Sequence, residues 1–521
     1  MAVTLDPAHP SYRRTLDGGR LTLRWSTVED KAGCILLSCL AAGEQEGEET
    51  ERMMRFLEPH TDDSFYAGSS ADWAVCVETP STPPTSTTNT STQDSYGNQV
   101  RNAAETAPEK VVALVYYLPG EIAFDSDAVR LPYGCAHIVA CKKAYRGRTG
   151  DESIIHALFA MINARAVADG CPLFVMPGIP SYYRMHGYEY ALDMGLGLLT
   201  HAAALTKAPE ASSPYLLRRA TLDDVPALDR MVLAPRSEAD IFIGAKDAET
   251  LTAQLRYILG DCSAAYASRT DYPLEPVFVL EKEIGGGTDT CTATPSHVVV
   301  AAARLRRPRQ GDSSTVVHPL LWDGEEDASA VACAIAKGLV KQAGEVLPGR
   351  DPNFETKITT LRWMLPDAHP LYQWLVAHEL AVPLPETSRY NMMHVWWISI
   401  PSLSRFLTAL LPALNKRLDA SRHIFGANYA ATLHVGASRS MGGGVVMRVV
   451  DSVIVEVDAP KPNSPKPNLT LPQGALIQLM MGYKGWRELK EVYPDVAVEP
   501  AVVPLVDVLF PKRRVWAGLY T

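Results

Sequence analysis

The 521-residue sequence contains no CxxC pair, and its nine cysteines end at Cys333. A zinc module or a disulfide framework would need closer or more regular cysteine spacing, so neither is expected, and no metal is. No apolar run approaches the 18 or so residues a membrane helix requires. The opening stretch MAVTLDPAHPSYRRTL also lacks the apolar core of a secretory signal. The expectation is a cytoplasmic protein without a membrane span. Positive charge is not in excess, since 49 Lys and Arg against 59 Asp and Glu give a formal charge of -10. That sign disfavours general nucleic-acid binding and suits a cationic partner.

What the sequence does hold is the composition of a soluble globular protein, 47% hydrophobic and 21% charged, long enough for a folded enzyme. Its length suggests about three domains. In residues 1–206, strand-like and helix-like runs alternate. They are interrupted at about 80–110 by a polar stretch rich in Pro, Ser, Thr and Asn, which cannot bury apolar area and is expected to be a disordered loop. After the polar seam KAPEASSP at 207–214, YLLRRATLDDVPALDRMV repeats the order of LTLRWSTVEDKAGCILL: a strand, a Thr-led polar turn and a helix. This restart marks an internal duplication over 215–399. Residues 400–521 change character again and read as a smaller α+β module.

The most informative stretch is YRGRTGDESIIHALFAMINARA, Tyr145 to Ala166. It follows a strand-like CAHIVACKKA and opens an amphipathic helix on which Ile154, Leu158, Met161, Ile162 and Arg165 recur at helical spacing. A strand, a basic Gly-containing turn and a helix start together suit a phosphate. Free backbone N–H groups and the positive end of the helix dipole face the anion, with Arg146 and Arg148 beside it. The corresponding turn of the restarted unit, DGEEDASA, is acidic.

With PLFVMPG as the next strand and YYRMHGYEYALD after it, the stretch resembles the acetyl-coenzyme A core of the GNAT N-acetyltransferases. The acidic restart and the terminal module, ending in LFPKRRVWAGLYT, narrow the resemblance to Eis-like acetyltransferases. That resemblance implies a mixed α+β/α/β fold. Two tandem GNAT folds, the second degenerate, occupy 1–206 and 215–399, and a sterol-carrier-like domain occupies 400–521. It also implies an acetyl-CoA dependent N-acetyltransferase acting on a small cationic amine or lysine acceptor, and a hexameric homo-oligomer. The backbone of Val139, Ala140 and Cys141 would pair the pantetheine of acetyl-CoA. Arg146, Gly147, Arg148, Thr149, Gly150, Asp151 and Glu152 would hold the pyrophosphate, with Gly178 and Ile179 on the next strand. Thr149 and Asp151 depart from the family pattern, which has glycines there.

Tyr183 falls at the family's general-acid tyrosine, and a phenol of pKa about 10 can protonate a departing thiolate. The resemblance assigns the base to the terminal carboxylate, here that of Thr521. A carboxylate of pKa about 3.5 would act on an alkylammonium through a water relay. Phe510, Trp516 and Tyr520 would anchor that tail.

Two other readings stand beside this one. Cys141, next to Lys142 and Lys143, would be an activated nucleophile if those charges lowered its thiol pKa. A non-catalytic GNAT relic that binds an apolar ligand or a protein would need no coenzyme. The acidic run EQEGEETE at 44–51 is either a solvated helix face or an attractor for a cationic amine.

Overall fold

The computed structural model describes residues 6–30, 33–34, 36–38, 73–78, 110–125, 129–146, 153–178, 182–192, 197–205, 214–233, 241–244, 277–284, 296–305, 314–322, 326–346, 359–363, 365, 369–383, 395–513 and 515–517. The expected loop at about 80–110, apart from Lys110, and the acidic run at 44–51 lie outside the described residues. The fold is mixed α/β and divides into two compact units. One is Met1–Gly120 with Pro132–Met176, and the other is Glu121–Leu131 with Pro177–Thr521.

Six strands follow one another across one sheet, β1 (Arg13–Leu16), β2 (Leu21–Trp25), β3 (Trp73–Glu78), β4 (Lys110–Phe124), β5 (Val129–Cys141) and β6 (Leu173–Gly178), and most of their residues belong to the first unit. Residues Trp73–Val77 of β3 and Val111–Tyr117 of β4 are all buried, as expected of strands covered on both faces. The helix Ile154–Ala168 has no Gly or Pro and buries Ile154, Ile155, Ala157, Leu158, Phe159, Met161, Ile162 and Ala166. Each large apolar side chain among these contributes about 1.5–3 kcal/mol. A Schellman turn ends the helix: Gly170 sits at φ 84, the Cys171 N–H donates to the Ala166 carbonyl at 2.9 Å, and the Gly170 N–H donates to Val167 at 3.1 Å. β5 approaches this helix closely at Gly134, where a Cβ would stand 2.4 Å from that of Ala166.

The second unit contains a seven-stranded sheet. Its order is β15 (Val382–Pro383), β8 (Leu198–His201), β14 (Thr360–Trp363), β13 (Ser314–Trp322), β12 (Ser296–Leu305), β11 (Val277–Ile284) and β9 (Tyr215–Arg219). The helix Ala328–Val346 packs Val331, Ile335 and Leu339 into its core beside Phe278 and Trp363. A five-stranded sheet follows, in the order β19 (Val453–Asp458), β18 (Val445–Val450), β17 (Ala431–Gly436), β20 (Leu469–Thr470) and β21 (Ala497–Val498).

The tail is also built into a sheet. β22 (Val515–Ala517) pairs in parallel with β10 (Ile241–Gly244), which pairs antiparallel with the last residues of β4, Glu121 to Phe124. Among the described residues no helix is long and apolar enough to cross a membrane.

Two strands take partners far along the chain. β8 follows β7 (Glu189–Leu192) closely, yet it pairs with β14 at Thr360↔His201 through Trp363↔Leu198. Conversely β16 (Val395–Ser399) pairs with β7.

The two stretches that match in sequence, 21–37 and 215–232, also share one local hydrogen-bond arrangement. In the first, Arg24 Nη1 and Nη2 donate to Asp30 at 2.5 and 2.9 Å, and the Thr27 N–H donates to Asp30 Oδ2 at 2.7 Å. In the restarted copy, Arg218 grips Asp224 at 2.8 and 2.7 Å and the Thr221 N–H donates to Asp224 Oδ2 at 2.7 Å. Both threonine hydroxyls also donate to that aspartate, at 3.2 and 3.3 Å. One hydrogen bond to a charged group is lost in either Thr27→Ala or Thr221→Ala. Each should therefore cost about 1 kcal/mol in urea unfolding. A cost at one site and none at the other would mean that the matching geometry is not matched in energy.

Candidate active site

Two groups of sequence-predicted residues are described, one in each unit. In the first unit the parallel pairing of β5 with β6 runs only from Tyr133↔Leu173 to Cys135↔Val175. β5 itself continues to Cys141. The two strands therefore part, and among the described residues the stretch 136–141 has no β6 partner. Val139 is half-buried, and Ala140 and Cys141 are buried. All three lie on this edge, where their backbone groups can meet an extended ligand.

The turn that follows is short. Lys143–Tyr145 form one 3-10 turn, and the Arg146 Nε then reaches back to the Cys141 carbonyl at 2.9 Å. Among the described residues the Nη groups of Arg146 make no hydrogen bond or ion pair. Tyr145 donates to Glu78 Oε2 at 2.6 Å, and Arg20 Nε lies 3.2 Å from the other oxygen of that carboxylate. Burial and the Glu78 carboxylate raise the Tyr145 phenol pKa. Lys142 is shifted down by burial and by the neighbouring Lys110, partly offset by the Glu78 carboxylate.

Burial pushes the Cys141 thiol up, and Arg146 only partly offsets that. This counts against the activated-nucleophile reading, which needs a lowered thiol pKa, because the sulfur is withdrawn from water. Gly147, Arg148, Thr149, Gly150, Asp151, Glu152 and Ile179 lie outside the described residues.

In the second unit Tyr183 sits in the one-turn helix Tyr182–His186, which follows β6. It is 8% exposed, whereas its neighbour Tyr182 is 36% exposed. The two adjacent tyrosines are thus distinguished by burial, which the doublet in the sequence could not show. Gly178, at the end of β6, makes room for the buried ring; a Cβ there would stand 2.2 Å from Tyr183 Cε2.

Trp397 of β16 lies on the other contact, its ring 6.0 Å from that of Tyr183 and tilted by 60°. Its Nε1 donates to the Gly178 carbonyl at 3.4 Å. Arg184 lies over the Trp397 indole at 5.6 Å and is held by Glu189, with Nη2 to Oε1 at 2.7 Å and Nε to both oxygens at 3.1 Å. Sequence reasoning missed Trp397 and Glu189. The one available signal was the double tryptophan of VWWIS, which breaks the alternation expected of a strand.

Of the tail, Phe510 is buried and the backbone of Trp516 pairs with Phe242, while Tyr520 and Thr521 lie outside the described residues.

No protein-family model matches the chain, and no curated protein matches it in sequence. Solved structures do match. A GCN5-related N-acetyltransferase from Anabaena variabilis ATCC 29413 aligns with 96% of this chain and 99% of its own, at TM-score 0.57 and 12% identity. One from Kribbella flavida covers 96% and 100% at TM-score 0.53 and 14% identity. Eis1 from Mycobacterium abscessus covers 96% and 100% at TM-score 0.56 and 11% identity. Over nearly its whole length, the chain shares the fold of these solved structures, two of them GCN5-related N-acetyltransferases.

Proposed function

We propose that the chain is an acetyl-CoA dependent N-acetyltransferase of Eis-like organisation, acting on a primary amine by direct attack in a ternary complex. The observation that carries this reading is the parting of β5 from β6 after Cys135↔Val175. An edge left open in this way can pair an extended pantetheine as an added strand. The fit of acetyl-CoA rests on that edge and on Arg146, whose Nε is anchored to the Cys141 carbonyl and whose guanidinium would meet a phosphate. Residues 147–152 complete the phosphate turn in this proposal.

Acetyl-CoA supplies an activated thioester. The amine nitrogen bonds to the acetyl carbon as the carbon–sulfur bond breaks. Tyr183 gives its phenolic proton to the departing sulfur, and the proton released by the amine passes to water, with the Thr521 carboxylate as relay. A buried, high-pKa Cys141 favours direct attack over an acetyl-enzyme. In this reading 215–399 is a second GNAT copy without a phosphate turn, as the matched Arg–Thr–Asp geometry supports, and 400–521 is a sterol-carrier-like module. The acceptor is cationic, in keeping with the acidic chain.

Calorimetry with acetyl-CoA tests the binding half of the proposal. Thiol release with spermidine, kanamycin and a lysine peptide tests the transfer half. Binding and release are expected; absence of both would leave the ligand-binding relic as the better reading. Arg146→Ala should weaken acetyl-CoA binding roughly 10–100-fold, the effect of one hydrogen bond to a charged group. An unchanged Kd would remove Arg146 from the coenzyme site.

A further inference from the structure

We propose that Trp397 is a positioning residue for Tyr183, an inference that rests on reading Tyr183 as the general acid. A phenol that must deliver its proton as a bond breaks has to be held to within a fraction of an ångström, because misplacement of about 1 Å can cost on the order of 100-fold in rate. Two of the features that hold the ring of Tyr183 stand out beside its exposed neighbour Tyr182. One is the backbone of Gly178, which the ring approaches so tightly that no Cβ fits. The other is the Trp397 indole, tilted against it.

These constraints are linked, since the Trp397 Nε1 hydrogen bond fixes the carbonyl of that same Gly178. One side chain therefore packs against the ring and also holds the backbone beneath it. Trp397 is itself 2% exposed and is steadied by Arg184, the residue directly after Tyr183, which Glu189 grips through both carboxylate oxygens.

The strand pairing that brings Trp397 here is irregular. Trp396 pairs with Leu192 and Trp397 with Tyr190, so the register passes over Ala191. The extra residue lies on β7, and such a break re-aims side chains locally; on β16 the adjacent tryptophans are both buried, at 3% and 2% exposure.

A double-mutant cycle tests the proposal. Trp397→Phe keeps an aromatic face and loses the N–H. Turnover is followed as thiol release from acetyl-CoA with a mixture of spermidine, kanamycin and a lysine peptide, and acetyl-CoA affinity is followed by calorimetry. The expected result is a kcat roughly 10–100-fold lower, with Kd unchanged within about twofold. In the Tyr183→Phe background the same substitution should have no further effect, because residues that act as a unit are not additive.

An equal loss in both backgrounds, or a Trp397→Phe enzyme as fast as the parent beside a slow Tyr183→Phe enzyme, overturns the positioning role and leaves Tyr183 as the acid. A Tyr183→Phe enzyme that turns over normally, or a parent that releases no thiol, overturns the underlying reading and this inference with it. Should Trp397→Phe fail to fold, Arg184→Met on the outer face of the same indole takes its place, since the Arg184 side chain is 57% exposed. A several-fold loss that disappears in the Tyr183→Phe background supports the role, and an additive or absent loss overturns it.

Discussion

Tyr183→Phe should lower kcat by roughly 10²–10⁴-fold, the range for removal of a general acid, and leave acetyl-CoA affinity unchanged. The substitution removes one oxygen and keeps the ring that fills the space above Gly178 and beside Trp397. Packing, and therefore folding, should survive. Tyr182→Phe is the matched control: that side chain is exposed and meets Tyr183 edge-on with centroids 5.1 Å apart. It should retain activity within a few-fold, as expected for a surface position away from the chemistry. If the two variants lose turnover equally, the phenol of Tyr183 has no special role, and the acid must be sought elsewhere.

Asp125→Ala should destabilise the protein by about 3–5 kcal/mol, the cost of stranding buried charge. Asp125 follows β4 at φ 53, a left-handed conformation that Asp and Asn tolerate better than other side chains do. Its carboxylate accepts from Arg417 Nε at 2.9 Å and from Arg513 Nη1. The three side chains are 10%, 14% and 9% exposed, so solvent screens them little. Arg417 also donates to the Leu509 carbonyl, and the Arg513 N–H donates to the Gly482 carbonyl at 2.7 Å.

Removing the carboxylate leaves two guanidinium groups facing each other where the chain enters β22. Urea unfolding gives the free energy, and hydrogen exchange at Val515–Ala517 should quicken first. Asp125→Asn separates the effects, since it keeps the turn conformation and loses the charge. A cost below about 1 kcal/mol for Asp125→Ala would place the cluster with weak surface pairs.

The elements around the open edge of β5 were legible because their signals are local. The strand before Tyr145, the helix from Ile154 and the apolar strand PLFVMPG all depend on periodicity and turn chemistry within a few residues. They appear as β5, Ile154–Ala168 and β6. The repeated strand–Thr–helix order after the polar seam was also legible, and both stretches carry the same Arg–Thr–Asp arrangement.

Burial separating Tyr183 from Tyr182 was not legible, because adjacent identical side chains carry no local difference. Nor was Trp397, whose relevance comes from a strand partner about two hundred residues earlier. Strand pairing of that range is decided by which buried faces fit, and local sequence does not encode it. The thiol of Cys141 misled for the same reason. Two neighbouring lysines are visible in sequence, but desolvation by the surrounding sheet is not.

The exchange of β8 and β16 also sets the timing of assembly on the ribosome. When Leu192 has been made, β7 exists but its partner β16 does not. At roughly 5–20 residues per second, some 10–40 seconds of synthesis separate the two. Throughout that interval β7 presents an unpaired edge, a hazard for pairing with another chain. Meanwhile β8, made early, waits for β14. A nascent chain halted in the seam at 207–214 would hold one strand too many and lack another. Neither half should become protease-resistant alone, whereas the two halves expressed together should recover each other.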